Sequence, residues 1–245
     1  MDNTSSNIYR THDKEIYLQE NRYKETKENF KSIVGLIGDS GVMQGGATVR
    51  DFGCAAGEFL YYMVSQFPEG TYHGYDVVPD LLAKARIMVP EAKFQSGSVL
   101  QSSLVPEAST DVSLMLGVHS IFDDFKPCFS NLIRWTRPGG RIYVLGLFNP
   151  HPVDVWVKYR SFDDPDPDHR EPGWNLFSRS SVSRYLDEEL GPGKHTFIPF
   201  EMPFDLDPNL DDPVRTWTFK DGGGRRLLTN GLSLLCNLDI LEIRR

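Results

Sequence analysis

Apolar residues along the chain follow two rhythms. Over residues 13–37 they recur at helical spacing, with Ile16, Tyr17, Tyr23, Phe30, Ile33, Val34 and Ile37 forming one stripe, which predicts a helix. Gly38, Gly41, Gly45 and Gly46 then mark a turn region. From Thr48 onward, short and nearly continuous apolar runs alternate with amphipathic segments. The runs predict strands over 48–52, 71–75, 93–95, 111–116 and 141–148. The segments between them predict helices over 57–67, 79–89 and 124–136, the second with Pro79 in its first turn. Strands that are apolar on both faces and separated by helices imply a parallel sheet covered on both sides.

After Phe148 the pattern changes. Residues 149–175 are rich in proline and carry the acidic run 163–168. A connection of that length and polarity reads as a lid, with a helical piece over 153–159 that presents Trp156 and Tyr159. Residues 178–190 read as a helix, and 195–202 and 235–243 as two late strands around a Pro/Asp/Gly-rich stretch, 205–224. The expected organisation is one domain in four parts: a helical cap (1–46, loosely ordered over 1–12), a Rossmann-like core (47–148), a lid insertion with its helix (149–192), and C-terminal strands that complete the sheet (193–245).

Composition narrows the partners. Formal net charge is −8, from 26 basic and 34 acidic residues among 245. An acidic surface repels phosphate backbones, so nucleic acid is not the expected partner. Cys54, Cys128 and Cys236 lack the spacing of a disulfide framework or a zinc site. The six histidines show no metal-ligand spacing, so no metal is expected. No segment approaches the ~20 apolar residues that span a bilayer, and the polar N-terminus lacks a signal-peptide core. These features read as cytoplasmic, with no membrane partner; oligomeric state is not readable.

The candidate chemistry lies where the first strand meets the next helix, in Val49-Arg50-Asp51-Phe52-Gly53-Cys54-Ala55-Ala56-Gly57. Glycines let a ligand approach the main chain closely, and the following helix start offers free N–H groups. The second strand ends in Asp76, 19 residues beyond Gly57. A carboxylate there can accept hydrogen bonds from both hydroxyls of a ribose. Val77, Val78 and Pro79 could wall an adenine ring. A nicotinamide fingerprint, G-x-G-x-x-G, is not met, because its middle glycine is Ala55 and the last glycine comes too early.

Over about 49–148 this pattern resembles the class I S-adenosylmethionine (SAM)-dependent methyltransferases. Asp-Phe-Gly-Cys-Ala-Ala-Gly is similar to that family's first motif, D-x-G-C-G-x-G. Asp76 matches the ribose-binding acid of the second, and Gln95-Ser96-Gly97-Ser98-Val99 the third. Residues 111–119 resemble the fourth-strand motif, and Arg137-Pro138-Gly139-Gly140 the helix-to-strand turn. The resemblance implies an α/β fold with a Rossmann-like, seven-stranded, mostly parallel sheet, an antiparallel C-terminal strand, helices on both faces and a lid inserted after strand five. It implies SAM as cofactor, held by Asp51, Gly53, Cys54, Ala55, Gly57, Asp76, Val77, Gly97, Ser98, Val99, Leu116 and Gly117. The chain departs from the pattern at Ala55, where the turn is expected to avoid strongly positive φ, and at Ser98, which replaces an acid that binds the adenine amino group.

The acidic charge and the lack of an N/D-P-P-Y/F motif favour a small-molecule acceptor. Residues 171–178 and Asn230-Gly231 resemble members that methylate sugars or secondary metabolites, which points to O-methylation of a hydroxyl. Such an acceptor needs a base, and His119, after the fourth strand, is the expected catalytic residue. Trp156, Tyr159 and Trp174 could cover the acceptor. The alternatives are N- or carboxyl-methylation of a small molecule, or SAM binding without chemistry.

Overall fold

The computed structural model describes residues 11–19 and 21–245, with the side chains of 11–13 and 15 excepted. The expectation of loose order over 1–12 therefore falls largely outside the described residues. The single helix read over 13–37 is two: α1 (Thr11–Gln19) and α2 (Glu28–Asp39). Between them the polar run from Asn21 to Lys27 turns, and Tyr23 is buried there by a hydrogen bond from its hydroxyl to the Ala56 carbonyl, 2.5 Å. A continuous helix would give up that anchor. α2 buries Phe30, Ile33, Val34 and Ile37, spaced so that they share one helix face.

The core alternates as the apolar runs predict: β1 (Thr48–Phe52), α3 (Glu58–Gln66), β2 (Thr71–Asp76), α4 (Pro79–Met88), β3 (Ala92–Ser96), β4 (Thr110–Leu116), α5 (Lys126–Trp135) and β5 (Thr136–Asn149). Beyond it lie β6 (Lys158–Tyr159), β7 (Glu171–Pro172), β8 (Phe177–Ser178), α6 (Arg179–Leu190), β9 (His195–Phe200), β10 (Trp217–Lys220), β11 (Arg226–Thr229), β12 (Leu235–Cys236) and β13 (Leu238–Arg244). The main sheet runs β3-β2-β1-β4-β5-β13-β9, with β8 paired to β5. β1 to β5 are parallel to one another, and β13 is antiparallel to both β5 and β9. This is a Rossmann-like, mostly parallel α/β fold. Strand order reverses beside β1, where the chain leaves β3 and re-enters at β4, and such a switch opens a crevice at the strands' C-terminal ends.

Both sheet faces are covered. On one, α5 and α6 pack Phe129, Leu132, Trp135, Val182 and Leu186 against Phe52, Met115, Val144 and Phe148. On the other, α2, α3 and α4 pack Ile33, Ile37, Leu60, Met63 and Leu82 against Val49, Leu114 and Tyr143. Full burial of each such side chain contributes roughly 1.5–3 kcal/mol before the entropy cost. The helical cap is thus built into the second core.

Two parts of the C-terminal half differ from expectation. Residues 153–159 are extended, not helical: Val155 bridges Leu176, and β6 pairs β7. The alternation Val153, Val155, Val157 suits a pleated ladder, since β-branched side chains favour strands. The stretch around 205–224 contributes to a small antiparallel sheet, β10-β11-β12. The late run 235–243 breaks at Asn237 into β12, in that small sheet, and β13, in the main one. No described helix is long and apolar enough to cross a membrane.

Candidate functional site

At the switch point the C-terminal ends of β1, β2 and β4 enclose a pocket of about 810 Å³ including its open mouth. Nine of the twelve cofactor-site expectations line it: Gly53, Ala55, Asp76, Val77, Gly97, Ser98, Val99, Leu116 and Gly117. β1 ends at Phe52, and Gly53 turns with φ +82, a region that favours glycine. A Cβ there would lie 2.3 Å from Val118 Cγ2, so the glycine lets the loop after β4 close on the turn. Gly117 has φ +78, and a Cβ on it would meet nothing within 4 Å, because the pocket lies over it.

Ala55 corrects one expectation. It stands at φ +47, so the turn does take a positive φ at this non-glycine residue. Its N–H donates to Asp76 Oδ2 at 2.8 Å, which holds the residue in that conformation. Asp76 Oδ1 accepts from the Val78 N–H at 2.9 Å. The carboxylate therefore locks the first turn to the start of α4. Each oxygen keeps acceptor capacity, and the residue lines the pocket. Burial raises the Asp76 pKa, and the backbone N–H groups of Val78 and Ala55 oppose that rise.

The other three expectations lie behind the pocket wall. Asp51 is buried on β1, with no hydrogen-bond partner for Oδ1. Burial, then the charges of Asp76 and Glu58, push its pKa up to about 8. Cys54 is buried with its thiol pKa raised by burial and by Asp51 and Asp76, which makes it unreactive. Gly57 caps the start of α3 from just before it, at φ +83, and a Cβ there would press 3.0 Å from the Phe94 ring. Its role is packing, not lining.

His119 is not part of the lining either. It is fully buried, stacked on Phe148 at 4.7 Å, and neither ring nitrogen makes a well-formed hydrogen bond. A Cβ on Gly146 would sit 1.9 Å from His119 Cε1, so the imidazole fills the space above that glycine of β5. Burial, partly offset by the Leu147 backbone, lowers its pKa to about 4. The residue expected to act as a base is thus a core element in this conformation, outside the pocket lining.

Sequence reasoning missed Lys14, Tyr17, Leu81, Ile121 and Phe122, which also line the pocket. Lys14 and Tyr17 come from α1, which Lys84 Nζ anchors by donating to the carbonyls of Tyr17 and Leu18, 2.9 and 3.0 Å. No motif marks them; membership of Tyr17 in the apolar stripe was the one signal. Asn175 was also missed. It is buried, and its N–H and Nδ2 donate to the carbonyls of Ser120 and Phe122, while its Oδ1 accepts from the Val157 N–H. It clamps the lid onto the loop that forms the pocket's far wall. Trp156 reinforces the clamp through Nε1 to the Asp123 carbonyl, 2.8 Å. Trp156, Tyr159 and Trp174 do not line the pocket. Among the described residues no cluster of His, Cys, Asp or Glu could hold a metal ion.

The open face of Gly117 and the spare acceptors of Asp76 fit SAM: room for a close-lying ligand and partners for a ribose respectively. Comparisons with known proteins agree. Residues 51–142 match the family described as methyltransferase domain. A trans-aconitate 2-methyltransferase of Methylobacterium nodulans is 32% identical over 98 residues, which is 40% of this chain and 37% of that protein. The chain thus spans well under half the length of that curated relative. A SAM-dependent methyltransferase from Aquifex aeolicus superposes with a TM-score of 0.52 at 14% identity, covering 96% of this chain and 99% of that one. Magnesium protoporphyrin IX methyltransferase from Synechocystis, solved with bound SAM, gives 0.51 at 13% identity, covering 89% and 79%. With its motif residues gathered around one pocket on this fold, the chain resembles the class I SAM-dependent methyltransferases, and over residues 51–142 it is similar to the methyltransferase domain family.

Proposed function

We propose that the protein transfers a methyl group from SAM to a small molecule, and that the accepting atom is a carboxylate oxygen. Gly53, Ala55, Asp76 and Gly117 hold the adenosyl end in this reading, with Val77, Gly97, Ser98 and Val99 around the adenine and Asp51 behind the methionyl end. SAM supplies the methyl group, the S–CH3 bonding pair remaining on sulfur as the acceptor oxygen bonds to carbon. The chain's task is to align the acceptor and exclude water.

One observation carries the choice of acceptor. Among the described residues the wall beyond Gly117 is Val118, Ile121 and Phe122, none titratable, and His119 is turned into the core; the titratable lining residues, Lys14, Tyr17 and Asp76, come from α1 and the end of β2. A hydroxyl would need a base there. A carboxylate is ionised at neutral pH and needs none. The relative from Methylobacterium nodulans, named for an organic acid anion, supports this reading over methylation of a sugar hydroxyl.

The test uses SAM labelled in its methyl group and a panel of small carboxylic acids, sugars and amines. The expected product is a methyl ester, whose label becomes volatile methanol after treatment with base. In the same assay His119→Gln is expected to keep turnover within about threefold, where loss of a general base costs roughly 10²–10⁴. Base-stable label, or a collapse of turnover in His119→Gln with SAM affinity intact, contradicts the carboxylate reading.

A further inference from the structure

The connections between the parallel strands are not alike. α3 joins β1 to β2, α4 joins β2 to β3 and α5 joins β4 to β5, but residues 97–109, which lead from β3 to β4, contain no helix. A crossover between parallel strands is usually helical and covers the sheet as it returns. On the face that α5 covers over β4 and β5, the neighbouring strands β1, β2 and β3 lack such a cover. Part of that face is open: Arg50 and His73 are half-buried, and Lys93 and Gln95 are exposed.

The open strip carries a row of basic groups. Parallel register sets Arg50 beside His73, and His73 beside Lys93. With neighbouring strands about 4.8 Å apart, the row spans about 10 Å. Alternation puts Arg50 on the face of Phe52 and His73 on that of Tyr75, both part of the α5-side core. The acids of the same strands, Asp51 and Asp76, fall on the opposite face by the same rule. On β4, Asp111 is committed to Arg137 and to the Thr48 N–H. In the 97–109 connection, Glu107 faces Arg134 at 3.6 Å. Among the described residues Arg50, His73 and Lys93 therefore stand side by side without an ion pair. Like charges on adjacent strands are destabilising, and burial, then Arg50 and Lys93, lower the His73 pKa. Arg50 is fixed in place all the same. Its Nη1 donates to the Ser109 carbonyl at 2.6 Å and to Thr110 Oγ1 at 2.5 Å, while its Nε is buried without a hydrogen-bond partner.

We propose that this strip is an anion site, and that it takes a soluble molecule carrying two or more linked phosphates. It shares no residue with the cofactor pocket. Guanidinium and ammonium groups both pair with phosphate oxygens, and a line of basic groups on rigid strands matches a line of phosphates better than one compact anion. A bound phosphate chain replaces the repulsion within the row by attraction. The row is too short, and a chain of net charge −8 too acidic, to hold a nucleic-acid backbone.

Calorimetry on the full chain, with inorganic tripolyphosphate as the probe, tests this. The expected result is binding that weakens as salt rises and is at least tenfold tighter than that of monophosphate. His73→Gln/Lys93→Gln is expected to weaken tripolyphosphate at least tenfold, with the melting temperature of the free protein undiminished and S-adenosylhomocysteine affinity unchanged. Lys93→Gln alone shows a smaller change in the same direction. In the wild type, the His73 ring resonances, identified by their loss in His73→Gln, should titrate at higher pH with tripolyphosphate bound, because a nearby anion favours the imidazolium. That measurement decides the matter even if the double variant does not fold. No binding of tripolyphosphate, equal affinity in wild type and variants, monophosphate binding as tightly, or an unmoved His73 titration overturns the proposal.

Discussion

Ala55 sits where a Cβ crowds the backbone, at a cost of roughly 1–2 kcal/mol for an L-residue in the left-handed region. Its hydrogen bond to Asp76 sustains the conformation. Ala55→Gly relieves the strain but loosens the unfolded chain, so it is expected to stabilise by about 0.5–1 kcal/mol in urea unfolding; destabilisation would show that the methyl packs favourably. Asp51 makes a pH prediction. Its raised pKa, about 8, means that the folded protein retains a proton the unfolded chain releases near pH 4. Its contribution to stability is therefore present at low pH and is lost as pH rises through 8. The melting temperature of Asp51→Asn, measured against wild type from pH 5 to 9, should gain up to about pH 8 and level off above it. A cationic ammonium near Asp51 favours its ionised form, so wild-type affinity for S-adenosylhomocysteine should rise from pH 6 to 8, and Asp51→Asn should flatten that rise. Ala55 also shows a limit of reading residues one by one. The family pattern locates the turn, but only the Asp76 carboxylate, on another strand, explains how alanine takes a glycine's conformation.

Among the elements, the apolar runs on β1, β4 and β5 were legible because those strands are buried on both faces. Elements that depend on partners were not. Residues 153–159 present Trp156 and Tyr159 as a helix would, yet Val155 bridges Leu176 and the segment is extended. His119 reads as a base from its place after β4; the missing fact is that Gly146, on the next strand, leaves a slot for its ring. Asn175 carries no motif, but it joins the lid to the loop bearing Ile121 and Phe122. Asn175→Ala leaves the Phe122 carbonyl and the Val157 N–H without that partner, so a loss of about 2–3 kcal/mol is expected. With the pocket wall loosened, S-adenosylhomocysteine should bind severalfold more weakly by calorimetry. Unchanged affinity in a destabilised variant would mean that the clamp serves the fold alone.

At the scale of the whole molecule, the sheet order places the ends of β1, β2 and β4 around one crevice, and α1, α4 and the post-β4 loop enclose it. That architecture was readable from motif order, because each motif lies at a strand end. The seat of the insertion on β5 was not, since β8 pairs Phe148 with Phe177 across nearly thirty residues, nor was the small β10-β11-β12 sheet, which follows a stretch whose Pro, Asp and Gly content reads as loop. The most direct measurement is a calorimetric titration of S-adenosylhomocysteine into wild type and Asp76→Ala. Loss of a charged hydrogen-bond acceptor to ribose predicts binding to the wild type and a weakening of about 1.5–3 kcal/mol, roughly tenfold to more than a hundredfold, in the variant. Equal dissociation constants, or no binding to the wild type, would contradict the assignment of this pocket to the cofactor.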